Sequence, residues 1–204
     1  MTDQQQILQT FNKHFEHRGQ VSVDAQGLIS CTGKVKLTTR VERLPCAFLK
    51  VDGFFDCSYS SIQTLEGAPQ IVGGKFSASN CILATLEGAP RKCGGFWVLG
   101  NQLQNLKGGP DWVDGNYLCH SNPLTSLEGL ARHISKQFRC DITPDLGLLR
   151  ILQTGTDEFF DLAHVNRPPL TIINKYLDMG GGWNRMVPCA RELIWAGFPG
   201  NAKL

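Results

Sequence analysis

The chain predicts an α+β fold: a solenoid with a parallel strand ladder of about 20–21 residues per repeat, an N-terminal helix cap and a helical C-terminal region. Three observations predict it. One phrase recurs at a fixed spacing, apolar residues alternate just upstream of each copy, and the period stops where helical patterns take over on either side. The organisation that follows is an N-terminal helix and cap over 1–33, a solenoid over 34–149, and a helical region over 150–204.

The phrase is Leu65-Glu66-Gly67-Ala68-Pro69. It returns as Leu86-Glu87-Gly88-Ala89-Pro90, as Leu106-Lys107-Gly108-Gly109-Pro110, and as Leu127-Glu128-Gly129, in steps of 20 or 21 residues. Upstream lies an aromatic column, Phe55, Phe76, Trp97, Tyr117 and Phe138. Four residues earlier stand Val51, Val72, Cys93, Val113 and Ile134; two residues later stand Cys57, Ala78, Leu99, Cys119 and Cys140. In Val51-x-Gly53-x-Phe55-x-Cys57 the alternation predicts a strand with one face buried. Ile62, Leu83, Leu103 and Leu124 then turn the chain inward, and glycine and proline bend it back. One such unit cannot cover its own apolar face, whereas stacked units bury a continuous core. A degenerate earlier copy runs from Val35 and Leu37 through Val41 to Leu44.

The pattern Phe-x-Cys-x-x-Asn-x-Leu-x-x-Leu, with the Asn slot filled by Ser60, Cys81, Asn101 and Asn122, resembles the leucine-rich repeat. Leu-Glu-Gly-Ala-Pro-x-x-Val-Gly-Gly is similar to the repeat of small solenoid proteins encoded by tailed bacteriophages, over about Val51 to Leu130. The stretch from Ala190 to Leu204 resembles the tail of such proteins. The resemblance implies a phage or prophage origin and no particular activity.

At the N-terminus Ile7, Phe11 and Phe15 share one helical face with Leu8 beside them, which predicts an amphipathic helix over residues 4–17 that lids the repeats. Past Leu149 the run Thr156-Asp157-Glu158-Phe159-Phe160-Asp161-Leu162-Ala163 reads as a capped helix start with acids in its first turn. Leu170 to Met179 and Val187 to Trp195 are further helical segments, separated by Gly180-Gly181-Gly182.

Composition bounds the function. With 20 Lys and Arg against 18 Asp and Glu, the net charge of +2 creates no field that would attract nucleic acid or a membrane surface. The N-terminus lacks the apolar core of a secretion signal, and no apolar run approaches the roughly 18 residues a bilayer needs. The eight cysteines therefore read as reduced thiols in a cytoplasm, most of them at inward repeat positions.

No set of residues for catalysis, a metal or a cofactor emerges. His14 and His17 have helical metal spacing but no nearby third and fourth ligands. Cys119 is inward and His120 should point the other way. No Cys-x-x-Cys, no phosphate loop and no nucleophile elbow is present.

The outward strand positions remain. They form two ladders, Phe54, Lys75, Phe96, Asn116 and Gln137, and Asp56, Ser77, Val98, Leu118 and Arg139. Phe54, Phe96, Val98 and Leu118 are large apolar groups on a face expected to meet water, with Asp56, Lys75, His120 and Arg139 as a polar rim. Such an island marks an interaction site or a surface for self-association, unless a terminal segment folds over it. The expectation is a non-enzymatic protein that engages a host protein through this face. The alternative is a binder of a small nucleotide-like ligand in a groove between solenoid and C-terminal region, with Lys75, Arg132, His133, Lys136 and Arg139 as phosphate contacts.

Overall fold

The computed structural model describes residues 3–160, 168–179 and 182–204. Helix α1 (Asp3–His14) opens the chain, then strand β1 (Phe15–His17) and a hairpin of β2 (Val21–Val23) with β3 (Ile29–Cys31). The predicted helix thus stops three residues early. Phe15 still faces inward, but as a strand residue opposite Leu37 and stacked on Phe11 at 5.3 Å. His14 and His17 part company: the His14 ring bonds the Thr39 hydroxyl at 2.7 Å, and the His17 ring lies against Phe11.

From here the chain is a β-solenoid of about six turns. Strands β4 (Val35–Leu37), β5 (Phe48–Val51), β6 (Phe55–Asp56), β7 (Ile71–Ser77), β8 (Lys92–Trp97), β9 (Trp112–Val113), β10 (Tyr117–Leu118), β11 (His133–Ile134), β12 (Gln137–Arg139) and β13 (Glu158–Phe160) form two parallel ladders. The first ladder runs β3, β5, start of β7, start of β8, β9, β11. The second runs β4, β6, end of β7, end of β8, β10, β12, β13. β1 lies antiparallel on β4 and closes the second ladder at its N-terminal edge.

A column of glycines makes the corner between the ladders. A methyl group on Gly94 would stand 2.7 Å from the Gly73 carbonyl oxygen, and one on Gly115 would run into that of Gly94. Successive turns approach too closely here for any side chain. The recurring Leu-Glu-Gly-Ala-Pro phrase makes the opposite corner. The Ala68 amide donates to the Leu65 carbonyl at 2.9 Å across Gly67, whose φ is +85°, and Gly88, Gly108 and Gly129 repeat that left-handed conformation. Only glycine adopts it without strain.

Inside, one aromatic ring per turn packs on the next: Phe55, Phe76, Phe96, Tyr117, Phe138 and Phe159, with centroids 5.0–5.7 Å apart, stacked except at Tyr117, which meets both neighbours edge-on. Each such pair adds roughly 0.5–1.5 kcal/mol to its area burial. Asn101 and Asn122 bind the turns together. The Asn122 amide donates to the carbonyls of Val98 and Cys119, both at 2.9 Å, and its oxygen accepts the Leu103 N–H at 3.0 Å. Asn101 repeats the arrangement one turn earlier. In the first two copies the Ser60 hydroxyl and the Cys81 thiol take that slot, Ser60 bonding both the N–H and the carbonyl of Val41.

Two predictions need correction. The third copy has one residue fewer between its ladders, Cys93-Gly94-Gly95-Phe96 against Val72-Gly73-Gly74-Lys75-Phe76. Phe96, not Trp97, therefore takes the inward aromatic place, and Val98 replaces Leu99 in the column after it. Glu158–Phe160 is no helix start either: it adds a rung, Phe159 opposite Phe138, because the inward aromatic still falls 21 residues on. Residues 161–163 of that expected helix, and Gly180 and Gly181, lie outside the described residues.

The helical end follows prediction, with α2 (Pro168–Asp178) and α3 (Met186–Trp195). Glu192 of α3 accepts hydrogen bonds from Lys175 (2.7 Å) and Tyr176 (2.9 Å) of α2. The Asn174 side chain bonds both backbone groups of Phe159, accepting from its N–H at 2.8 Å and donating to its carbonyl at 2.9 Å. The buried Asn201 amide ties the tail to the last turn through the Thr143 and Leu146 carbonyls.

Candidate interaction face

The lost residue in β8 rearranges the outward surface. A one-residue slip sends every following side chain in a strand to the opposite face. Phe96 and Val98, expected outside, are fully buried, and Trp97, expected inside, faces out. The apolar island is thus rebuilt from other residues. In register along the second ladder stand Phe54, Lys75, Gly95, Asn116 and Gln137, and beside them Lys36, Asp56, Ser77, Trp97, Leu118 and Arg139.

Gly95 shapes what happens there. It leaves a gap into which the Trp97 indole folds, its nitrogen 3.8 Å from where a β-carbon would sit. The Lys75 ammonium lies over the indole at 4.0 Å from the ring centroid, a cation–π contact. Phe54, 53% exposed, neighbours Lys75 in the preceding turn, and Leu118 follows Trp97 in the next. The result is a contiguous cluster of two aromatic rings, one cation and one leucine on a rigid sheet.

The expected rim assembles only in part. Asp56 spends one carboxylate oxygen on the Ser58 N–H at 3.0 Å, while Arg139 stands next to Leu118 in register. His120 is not on the rim at all: it is 9% exposed, with Nδ1 lacking a partner among the described residues. Burial holds its pKa below the ordinary 6.5, with Arg139 pushing the same way and Asp141 opposing. The slot it occupies, filled by Ser58, Ser79 and Leu99 in earlier turns, is where the strand leaves the ladder and curls inward.

The five cations assigned to a nucleotide-like ligand do not converge. Lys75 and Arg139 belong to the second ladder, whereas Arg132 and His133 lie on or beside the first. The cleft between solenoid and C-terminal region, about 430 Å³, is lined by only one of them, Arg132, together with Arg150, Gln153 and Asp111.

The outer surface of the first ladder has a side-chain row that the apolar periodicity does not mark. It carries Lys50, Ile71, Lys92, Trp112 and His133 in register. Trp112 and His133 stack with centroids 3.8 Å apart. The Trp112 indole donates to Asp114 at 2.5 Å, and Lys92 pairs with the other oxygen of that carboxylate at 3.2 Å. That indole bond, then Lys92, holds Asp114 below its ordinary 3.8. The signal was present one residue ahead of the Val51-to-Ile134 column, hidden because each of these rungs is short.

All eight cysteines are buried with free thiols. Burial pushes Cys46 up to about 11, and Cys93 and Cys189 to about 12, so these thiols stay protonated and are poor nucleophiles. No helix among the described residues is long and apolar enough to cross a membrane. No protein family matches the chain, and no curated protein or solved structure does. The class defined by its own geometry is a β-solenoid capped by helices.

Proposed function

We propose that this is a non-enzymatic, leucine-rich-repeat-like binding protein of phage origin that engages a host protein in the host cytoplasm. The docking surface is the outward face of the second ladder. The observation that carries the reading is the Phe54–Lys75–Trp97–Leu118 cluster, in which a half-exposed Phe54 and the partly exposed Trp97 and Leu118 stand on adjacent turns of one sheet face. Aromatic anchors beside a cation are the composition favoured at the centre of protein interfaces. The inter-turn bonds of Asn101 to Ala78 and of Asn122 to Val98 support the leucine-rich-repeat likeness, and the Leu-Glu-Gly-Ala-Pro phrase supports the phage origin.

The test is capture from bacterial lysate with the tagged chain, compared with a Trp97→Asp, Leu118→Asp double variant. A host protein retained in stoichiometric amount, lost in the variant and rebinding as a purified partner, is the expected result. Equal capture by a variant with unchanged circular dichroism removes this face from the interface.

A further inference from the structure

At the N-terminal end of the second ladder lies a groove of about 600 Å³, bounded by β1, β4 and the outer edge of β6 and β7. Its size falls within the range of small-molecule pockets. Charge distinguishes it from the rest of the surface. Four cations line it, Arg18, Lys34, Lys36 and Lys75, against two carboxylates, Glu16 and Asp56. That local excess of two equals the net charge of the entire chain, so this groove concentrates what is elsewhere balanced.

The strand pairing enforces the concentration. The Arg18 N–H donates to the Lys34 carbonyl at 2.9 Å, which sets those two residues side by side where β1 ends and β4 begins. Lys36 sits directly across from Glu16 and in register with Asp56. Yet among the described residues none of Arg18, Lys34 and Lys36 has a carboxylate within 4.0 Å. Lys50, Lys92, Lys107 and Lys175, by contrast, are all ion-paired. The third wall is aromatic. Phe54 rests one side of its ring on the bare backbone of Gly74, where a β-carbon would collide with it, and remains 53% exposed. One fixed ring face and three unsatisfied cations around a single depression match a ligand with a flat aromatic part and an adjoining polyanion.

We propose that this groove binds a small phosphorylated aromatic molecule of the nucleoside diphosphate class. The base stacks on Phe54, and the phosphates lie between Arg18, Lys34 and Lys36. An inorganic phosphate alone would leave most of the volume and the whole Phe54 wall unused. The site goes beyond protein docking: it shares Phe54 and Lys75 with the docking cluster, but its phosphate-facing cations Arg18, Lys34 and Lys36 lie outside that cluster.

Isothermal titration of the full chain with ADP, pyrophosphate and adenosine tests it. The expected result is saturable ADP binding that weakens as ionic strength rises toward physiological values. Pyrophosphate binds more weakly and adenosine weakest. A Lys34→Glu, Lys36→Glu double variant, altered only at exposed positions, loses at least ~10-fold in ADP affinity. Phe54→Ala weakens ADP to the level of pyrophosphate while leaving pyrophosphate unchanged. No ADP binding at millimolar concentration, or undiminished binding by the double lysine variant, overturns the proposal. Pyrophosphate matching ADP in the unmodified chain overturns the stacking role of Phe54 and with it the nucleotide class. A Leu118→Asp single variant, which leaves Lys75 on the Trp97 ring and lies outside the groove lining, separates the two readings: it should retain ADP affinity even as it loses the host protein.

Discussion

The two ladders share a corner, a pitch and a core, yet their outer surfaces differ in kind. On the first, charge is settled internally: Lys50 with Asp52 at 2.7 Å, Lys92 with Asp114, and Asp114 with the Trp112 indole. Trp112 is itself covered on one face by His133. On the second, Phe54 is half-exposed and Lys75 lies over the Trp97 ring. Among the described residues Arg18, Lys34 and Lys36 face the groove with no carboxylate within 4.0 Å, although Glu16 and Asp56 line the same groove. A surface that has satisfied its own charges gains little by meeting a partner; a surface that has not can gain a good deal. Exposure does not separate the two, since Ile71 and Trp112 of the first ladder are 46% and 43% exposed beside Phe54 at 53%. The proposed docking face rests on this contrast in charge.

Adjacent residues in β8 offer the sharpest way to break the comparison. Phe96→Ala should destabilise the chain by about 3–5 kcal/mol, as expected for deleting a buried ring, whereas a chain with Phe96 on the outer surface would hardly notice. Denaturant unfolding reads this directly. Gly115→Ala tests the corner on which both ladders depend. Its β-carbon would meet the Gly94 carbonyl, so a loss of about 1–3 kcal/mol is expected with both surfaces disturbed; an unchanged midpoint would mean that the turns are not in close contact there.

Trp97→Ala should cost less than about 1 kcal/mol, since it removes a half-buried ring and one cation–π contact. Partner capture should nevertheless fall sharply, so stability and binding separate at this position. The smallest effect belongs to the self-satisfied face. Asp114 has a folded-state pKa depressed below 3.8, so its contribution is present above the unfolded-state value and is lost as pH falls through the folded one. Asp114→Asn should remove no more than ~0.5 kcal/mol at neutral pH, because solvent screens an exposed carboxylate. The variant's unfolding midpoint should approach that of the parent chain below pH ~4, where the parent's carboxylate is itself titrating.

Much of the fold was legible because the repeat must solve the same steric problem in every turn. Left-handed glycines after Leu-Glu, and leucines that cover the open side of the core, leave a periodic trace. The third copy is ambiguous in sequence because Phe96 and Trp97 are both aromatic, so a step of 20 and a step of 21 each deliver a ring to the column. Burial decided between them, and the sequence carried the clue only in Gly94-Gly95 standing where the previous turn has Gly73-Gly74-Lys75. The rung at Glu158–Phe160 was hidden by Asp157 and Glu158, acids that suit a helix start equally well. Of the predicted face, Phe54, Asp56, Lys75, Leu118 and Arg139 lie where the alternation put them. Phe96 and Val98 moved inside with the slip, and His120 was drawn under as its strand ended.

Asn174 has a consequence for the end of the ladder. A parallel ladder is a template: its last strand offers the same row of amides and carbonyls that recruited it, and nothing in the repeat says when to stop. By presenting one N–H and one carbonyl from a side chain, Asn174 occupies the Phe159 peptide groups as another strand would, yet has no backbone row of its own to pass on. The contact covers those two peptide groups at the last rung, where an uncovered parallel edge would offer the next strand a template.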